Sequence, residues 1–525
     1  MKYLKLRTIF PILVYMILVV YLIQFRYKLD KNGPYFTSDG AIKIYQTYQY
    51  KENGLLSLEC YYPSRSLDPN FEFYPISYPW AIFSSDSNKE RCVLEYPPFF
   101  YWIGAILLSI VSLKILLYLP ILFYSLAIFL FDAILLVVGF RSFFRIFIVA
   151  LSFFSFPILT SIDYTESSFF LLIYLIAFYM LAHTIKSDQK KKSLNFLLIG
   201  AILGFSFFFR LEIIFPVVFL LICFLFIMRD IKNTLLMGVG FAAIASIFLL
   251  YNFSVSGHIL GFRYVSSINL NENSGAGIYE RFQLLKAYLW GDSLMIGIFQ
   301  FNPLCFFMIV APVVSLVLRK SNRIGSMFIF SGIFAILSIP FYVTFYGGVG
   351  YFGLRYLEAP FFLMVIGFSS YLGESKFIKD SVWKTITFVI LSFLIYFNLV
   401  TTREGLKVLR SASADLHALH VEFDKSSKFV IHTSLYSSIW MGNSFLNKNH
   451  ILTTDTHAYE TFLDKLKEKE QFIVIQSPQD IYISSDIPKS LYQRYKTNVK
   501  IDPKKTEILE IKKLFGVNII LAKKK

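Results

Sequence analysis

Charge is what this chain is short of. Only 16% of its 525 residues are Asp, Glu, Lys or Arg, while 56% are hydrophobic and the mean hydropathy is +0.57. A soluble globular protein carries about 25% charged residues, so the composition excludes that class and leaves an integral membrane protein. Cysteine is scarcer still, and four residues are too few for a disulfide scaffold. No HExxH, GxSxG, CxxC or P-loop occurs, so metalloprotease, serine hydrolase and nucleotide-hydrolase readings lack support. The net charge of +16 does not require nucleic acid. Much of it lies in short Lys/Arg clusters beside hydrophobic segments, where membrane topology explains it. No small-residue cleavage site follows the first apolar run, which therefore reads as an uncleaved anchor helix.

What the chain has instead is a succession of apolar runs. Segments 9–24, 118–140, 144–160, 167–185, 195–209, 211–228, 235–251, 303–318, 324–344, 357–372 and 387–400 predict about eleven transmembrane helices, since each crossing needs about 20 residues. The basic clusters at Arg141 and Arg145, Lys190 to Lys192, Arg229 and Lys232, and Arg319 to Arg323 fall on one side of such a layout, as does Lys2 to Arg7. That side is cytoplasmic. The run 97–140 then holds one crossing, which leaves 97–114 as a juxtamembrane helix on the outer face. The first outer loop, 28–117, is polar and aromatic. A short helix starts near Gly40 with Ser38 or Asp39 as its N-cap, and Cys60 and Cys92 are a candidate disulfide on the oxidising side.

From residue 401 hydrophobic density drops and alternation appears. Strands are expected at 428–432, 450–452, 471–476 and 517–522, with an amphipathic helix over 456–469. The expected architecture is a polytopic α-helical membrane domain, 1–400, followed by a small soluble α/β domain, 401–525, on the outer, periplasmic side. No Gly-rich turn follows any of these strands, so no nucleotide site is expected there.

The residues able to do chemistry gather at the outer ends of spans. Asp39, Asp163 and Glu166 are carboxylates that can act as a general base toward a hydroxyl or amine. Arg210, Arg263 and Arg355 can pair with phosphate oxygens. Glu95 and Tyr96 precede a Pro-Pro helix, and Tyr356 follows Arg355. Each also has a plainer reading. Asp39 can be an N-cap, Asp163 and Glu166 solvated turn residues, and Arg355 a snorkelling residue at the interface. Asp132, inside a span, needs a partner.

In order, these pieces resemble the GT-C superfamily of membrane glycosyltransferases, the group of dolichyl-phosphate-mannose protein mannosyltransferases and bacterial aminoarabinose transferases of lipid A. The resemblance rests on Ser38-Asp39-Gly40, on Tyr96-Pro97-Pro98-Phe99-Phe100-Tyr101-Trp102, and on Asp163 or Glu166 after the third span. It rests also on Gly200 and Gly204 leading to Arg210, and on Gly353-Leu354-Arg355-Tyr356-Leu357-Glu358-Ala359-Pro360. Gly40 stands where the family often has a second acid, and Glu95-Tyr96 where the aminoarabinose branch has Lys. The resemblance implies a GT-C-like fold and inverting sugar transfer at the outer face of the cytoplasmic membrane. The donor would be a polyprenyl-phosphate-linked sugar and the acceptor a cell-envelope glycan, lipid or protein. Asp39 would be the base, Asp163 or Glu166 would assist through the acceptor or a divalent metal, and Arg210 and Arg355 would hold the lipid phosphate. Members differ in metal use, so no metal ligands are assigned. A polysaccharide polymerase or ligase and a lipid-linked sugar flippase are the alternatives.

Overall fold

The computed structural model describes residues 2–76, 81–83, 92–94, 96–187, 192–261, 277–293, 295–317, 322–342, 351–374, 380–425, 428–438, 440–477 and 498–525. They form two compact units that cut across the division expected at residue 400. One comprises residues 1–26, 118–261 and 276–408; the other joins 27–117 and 262–275 to 409–525. The first eleven helices are α1 (Lys2–Leu29), α2 (Ser38–Asn53), α3 (Phe99–Leu108), α4 (Leu113–Leu116), α5 (Leu119–Val137), α6 (Arg145–Phe153), α7 (Phe156–Ile162), α8 (Ser167–Lys186), α9 (Lys192–Phe207), α10 (Ile214–Cys223) and α11 (Ile231–Ser256).

The first unit is a helical membrane domain. Among the described residues, eight helices are long and apolar enough to cross a membrane, and α6 with α7 makes a ninth candidate bent by 57°. Helix occurs in each of the eleven segments predicted to span, so this is a multi-pass membrane protein. The bend has a local cause. Ser155 is extended and Pro157 lies in the first turn of α7, where proline supplies no amide to the preceding turn. The carbonyls set free cannot go to water inside a bilayer. Asn302 and Asn398 each donate to the Leu151 oxygen at 2.8 Å, and Thr402 donates to that of Phe154 at 2.7 Å. Tyr124 takes that of Phe153.

Gly200 and Gly204 serve packing. A β-carbon on Gly200 would overlap the Met237 carbonyl oxygen on α11, and one on Gly204 would stand 2.6 Å from that of Phe241. Without side chains there, α9 and α11 approach backbone to backbone, the usual solution where lipid offers no hydrophobic drive between helices. Asp132 finds its partners inside this unit, Arg145 Nε at 2.5 Å and the Tyr15 hydroxyl at 2.7 Å. The pair is neutral and ties α1, α5 and α6 together.

The second unit is built on a five-stranded sheet of order β4-β3-β5-β7-β6. Its strands are β3 (Phe429–His432), β4 (Asn449–Leu452), β5 (Gln471–Gln476), β6 (Thr506–Leu514) and β7 (Val517–Lys524); β1 (Ala81–Phe83) and β2 (Cys92–Leu94) pair separately in the first loop. Strands β3, β4 and β5 run parallel, and β7 and β6 antiparallel. Leu419 and Phe423, from the end of helix Ser381–Phe423, pack on Val430, Ile473, Ile475, Val517 and Ile519. The predicted strands agree within a residue or two. The helix ends at Lys465 rather than 469, and β6 was not predicted. It is an edge strand exposed on both faces, so no alternation betrays it, and Glu507, Glu510, Lys512 and Lys513 shield it from strand addition.

The first loop is stitched to this sheet. The Leu452 amide donates to the Phe73 carbonyl at 2.9 Å, Ser64 to Asn449 at 3.2 Å, and the Tyr45 hydroxyl to the Gly442 carbonyl at 2.7 Å. Cys60 is disulfide-bonded, while Cys223 and Cys305 are buried free thiols. The side chain of Cys92 lies outside the described residues. Behind the strands, His432 Nε2 lies 2.8 Å from His450 Nδ1, and His450 Nε2 lies 3.0 Å from the Ser444 hydroxyl. Both rings are fully buried. His420 and Lys448 face them as well, Lys448 being paired with Asp424; among the described residues no carboxylate pairs with either imidazole.

Two outcomes are expected. Gly200→Leu overpacks the α9–α11 contact and costs about 1–3 kcal/mol or more, read as a lowered Tm in detergent; an unchanged Tm would refute the close-packing role. The second concerns acid. Burial pushes the His432 pKa down to about 3, below the unfolded value of about 6.5. The folded state therefore gains from a neutral ring above pH 6.5, and loses that gain as pH falls toward 3. From His432 alone the loss by pH 5 is about 2 kcal/mol, with His450 shifting in the same direction. Hydrogen-exchange protection of β3, β4 and β5 should fall between pH 7.5 and pH 5 once corrected for intrinsic exchange.

Candidate functional site

Each unit carries part of the expected constellation. In the membrane unit it is organised by Arg210, which lies in extended backbone between α9 and the single turn Leu211–Ile213 that leads into α10. The guanidinium is buried. Its Nη2 donates to Ser167 at 2.7 Å, and Nη1 to the Arg355 carbonyl at 2.9 Å and to Glu212 at 3.3 Å. Nε stands 3.5 Å from Glu166, and the Phe170 ring lies alongside at 5.7 Å. Burial alone would lower the arginine's pKa; Glu212, Glu166 and Glu358 outweigh it and hold the value above its ordinary one. Nη1 and Nη2 already donate within the chain while Nε makes no hydrogen bond, so a phosphate on Arg210, the expected ligand, would compete with these bonds. The cluster instead makes Arg210 a hub that fixes the acids around it.

Those acids are not solvated turn residues. Asp163 and Glu166 form the connection between α7 and α8, and the whole segment Asp163, Tyr164, Thr165, Glu166 is buried. Arg26 Nη1 holds the Ile162 carbonyl at 2.7 Å, and Thr165 donates to the Thr160 carbonyl at 3.0 Å. Thr160 in turn donates to Glu358 at 2.9 Å. Arg355 lies half-buried on the turn Gly353–Leu357, its guanidinium 5.4 Å from the ring of the buried Tyr356. Arg210 already occupies the centre between Glu166, Glu212 and Glu358, so these carboxylates do not fit a divalent cation as well. Among the described residues no group of three or more His, Cys, Asp or Glu is placed to hold a metal.

In the second unit, α2 is capped by Thr37, whose hydroxyl accepts from the Gly40 amide at 3.2 Å. This corrects the expectation of Ser38 or Asp39 as the cap. Asp39 sits half-buried in the first helical turn. Below it on the same face, at the spacing of helical turns, follow Lys43, Gln46 and Tyr50. Lys43 is buried with its ammonium 4.6 Å from the centre of the Tyr96 ring. Gln46 donates to the Tyr96 carbonyl at 2.8 Å and to the Tyr50 hydroxyl at 3.1 Å. Helix α2 and the Tyr-Pro-Pro segment are thus brought together. Glu95 and Arg263 lie outside the described residues.

With that geometry in hand, the chain can be set beside known proteins. It is similar in structure to the oligosaccharyltransferase of Archaeoglobus fulgidus. Against the apo form the TM-score is 0.48 at 12% identity, covering 88% of this chain and 69% of that one. The form tethered to an acceptor peptide containing the NVT sequon, and the form in complex with an inhibitory peptide and a dolichol-phosphate, each give 0.44 at 12% identity over the same shares. By sequence the chain matches no protein-family model and no curated protein.

Sequence reasoning missed Glu212, Glu358, Thr160, Ser167 and Arg26 in the membrane unit, and Lys43 and Gln46 in the other. Glu212 and Glu358 carried a signal, each being an acid within three residues of an arginine already singled out. Lys43 and Gln46 carried one too, as polar residues at helical spacing from Asp39. Arg26 and Ser167 carried none, because their importance comes from carbonyls and guanidinium groups far away in sequence.

Arg210→Ala leaves buried carboxylates without their cation, and is expected to cost about 3–5 kcal/mol. Thermal unfolding in detergent should show it, with partial recovery when Glu212→Gln is added. A variant as stable as the parent would remove Arg210 from the centre of the cluster.

Proposed function

We propose that the protein is an inverting glycosyltransferase that moves a sugar from a polyprenyl-phosphate-linked donor to a cell-envelope acceptor at the outer face of the cytoplasmic membrane. In this reading Asp39 takes the proton from an acceptor hydroxyl or amine. The freed electron pair attacks the anomeric carbon as its bond to the phosphate oxygen breaks, and the polyprenyl phosphate leaves with that electron pair. Water held off the reacting groups and an acid–base group in hydrogen-bond reach are what such a step requires.

The observation that carries the reading is the setting of Asp39. Thr37 performs the capping, which leaves Asp39 at the head of a helix whose buried polar face is fixed on Tyr96 through Lys43 and Gln46. A half-buried carboxylate on a helix held in this way supports the part of a general base for Asp39. The burial of Asp163 and Glu166 supports an assisting part for them, toward the acceptor. Arg355, half-buried beside Tyr356, remains the candidate for the lipid phosphate, with Arg263 as the second cation.

Asp39→Asn keeps the size and removes the base. With a panel of polyprenyl-phosphate sugars and purified full-length protein, sugar release should fall by about 10²–10⁴-fold while the melting temperature is kept. Full transfer by the Asn variant would sink the base assignment. No transfer by the parent protein with any donor of this class would sink the reading as a whole.

A further inference from the structure

The imidazole pair in the sheet domain plays no part in the chemistry above. Ser444, His450 and His432 have the connectivity of a nucleophilic serine relay, hydroxyl to ring to ring. Both rings, however, are fully enclosed. His432 stacks on His450 with ring centres 5.2 Å apart, and Phe423 and Phe445 close around His450 at 5.9 and 6.1 Å. A sealed relay cannot meet a substrate. What it can do is fix whatever carries its last member.

That member is on the turn Gly442–Leu446, a 3-10 segment of a kind whose own hydrogen bonds have poor geometry. Gly442 has φ +48°, and a β-carbon there would stand 2.9 Å from His420 Cε1. The backbone therefore packs closely against that ring. The other side of the turn receives α2. The Tyr45 hydroxyl donates to the Gly442 carbonyl at 2.7 Å, and the Tyr45 ring lies 4.3 Å from that of Phe445. Tyr45 is six residues along the same helix from Asp39, about 9 Å of rise. An error in seating Tyr45 is thus carried by a rigid rod to Asp39.

We propose that Ser444, His450 and His432 are positioning residues for Asp39: the relay holds the Gly442–Leu446 turn in the conformation that seats Tyr45, and so fixes helix α2. The proposal builds on the reading of Asp39 as the base. The hydroxyl does the gripping, so Ser444→Thr retains the function and Ser444→Ala does not. Tyr45→Phe cuts the same linkage from the side of α2, with the ring contact kept.

The test is hydrogen exchange of the α2 amides, Ser38 to Asn53, in purified full-length protein at pH 7.5, together with the rate of sugar release. Ser444→Ala and Tyr45→Phe should each lower α2 protection by roughly two- to tenfold, the range set by one net hydrogen bond. The double variant should lose less than the product of the two, because both changes act through one turn. Ser444→Thr should restore the parent value. Release should fall along with protection. Unchanged α2 protection in Ser444→Ala at an unchanged melting temperature would overturn the proposal, as would fully multiplicative losses. If Ser444→Ala fails to fold, Tyr45→Phe and Ser444→Thr decide: α2 protection must drop in the first and hold in the second, and any other pattern overturns it. Because exchange is read without turnover, loosened α2 alongside a fully active Asp39→Asn variant would uphold the seating by the relay and discard the base reading alone.

Discussion

A single guanidinium sets the arrangement of the membrane unit's polar interior. Arg210 is planar and offers donors in fixed directions, so it can bind Ser167, the Arg355 carbonyl and Glu212 at once while facing Glu166. An ammonium on a flexible stem could not satisfy that many directions. The price of burying such a charge is high unless opposite charges come with it, and Glu166, Glu212 and Glu358 do. The connection Asp163 to Glu166 and the turn Gly353–Leu357 consequently have fixed positions relative to each other, although nearly two hundred positions of sequence separate them. Where a connecting loop ordinarily runs over the surface, here it is buried and held by Arg26 and Arg210.

The bend between α6 and α7 follows a related rule. A broken helix inside a bilayer must have its loose carbonyls taken by side chains, and Asn302, Asn398, Thr402 and Tyr124 take them. These residues explain polar positions that the apolar pattern of the spans leaves unaccounted for. Asp132 is another such position, and its answer is structural, a neutral pair with Arg145 and a bond from Tyr15.

Long apolar runs made the helices of the membrane unit legible in the sequence, and alternation did the same for four of the five strands. Legibility failed where a property is lent by distant residues. Asp163 and Glu166 could be named as acids at a connection, but their burial depends on Arg26, Thr160 and Arg210. In the run Thr37-Ser38-Asp39 all three are good N-caps, so the pattern could not say which one caps. The edge strand β6 has no buried face and hence no period. The grouping of the first loop with the last domain has no local signature at all, since it rests on single contacts such as Leu452 to Phe73 and Tyr45 to Gly442.

That grouping bears on how the protein is made. A chain leaves the ribosome from its N-terminus, so residues 27–117 are synthesised long before residues 409–525, with most of the membrane helices in between. Strand β7 lies inside the sheet between β5 and β6, so the sheet that receives the first loop cannot close until residues 517–524 are available. Contacts of such wide sequence separation form late and slowly, and surfaces awaiting them stay open to wrong partners meanwhile. Helix α2 and its aromatic neighbours are therefore synthesised well before the strands on which their packing depends.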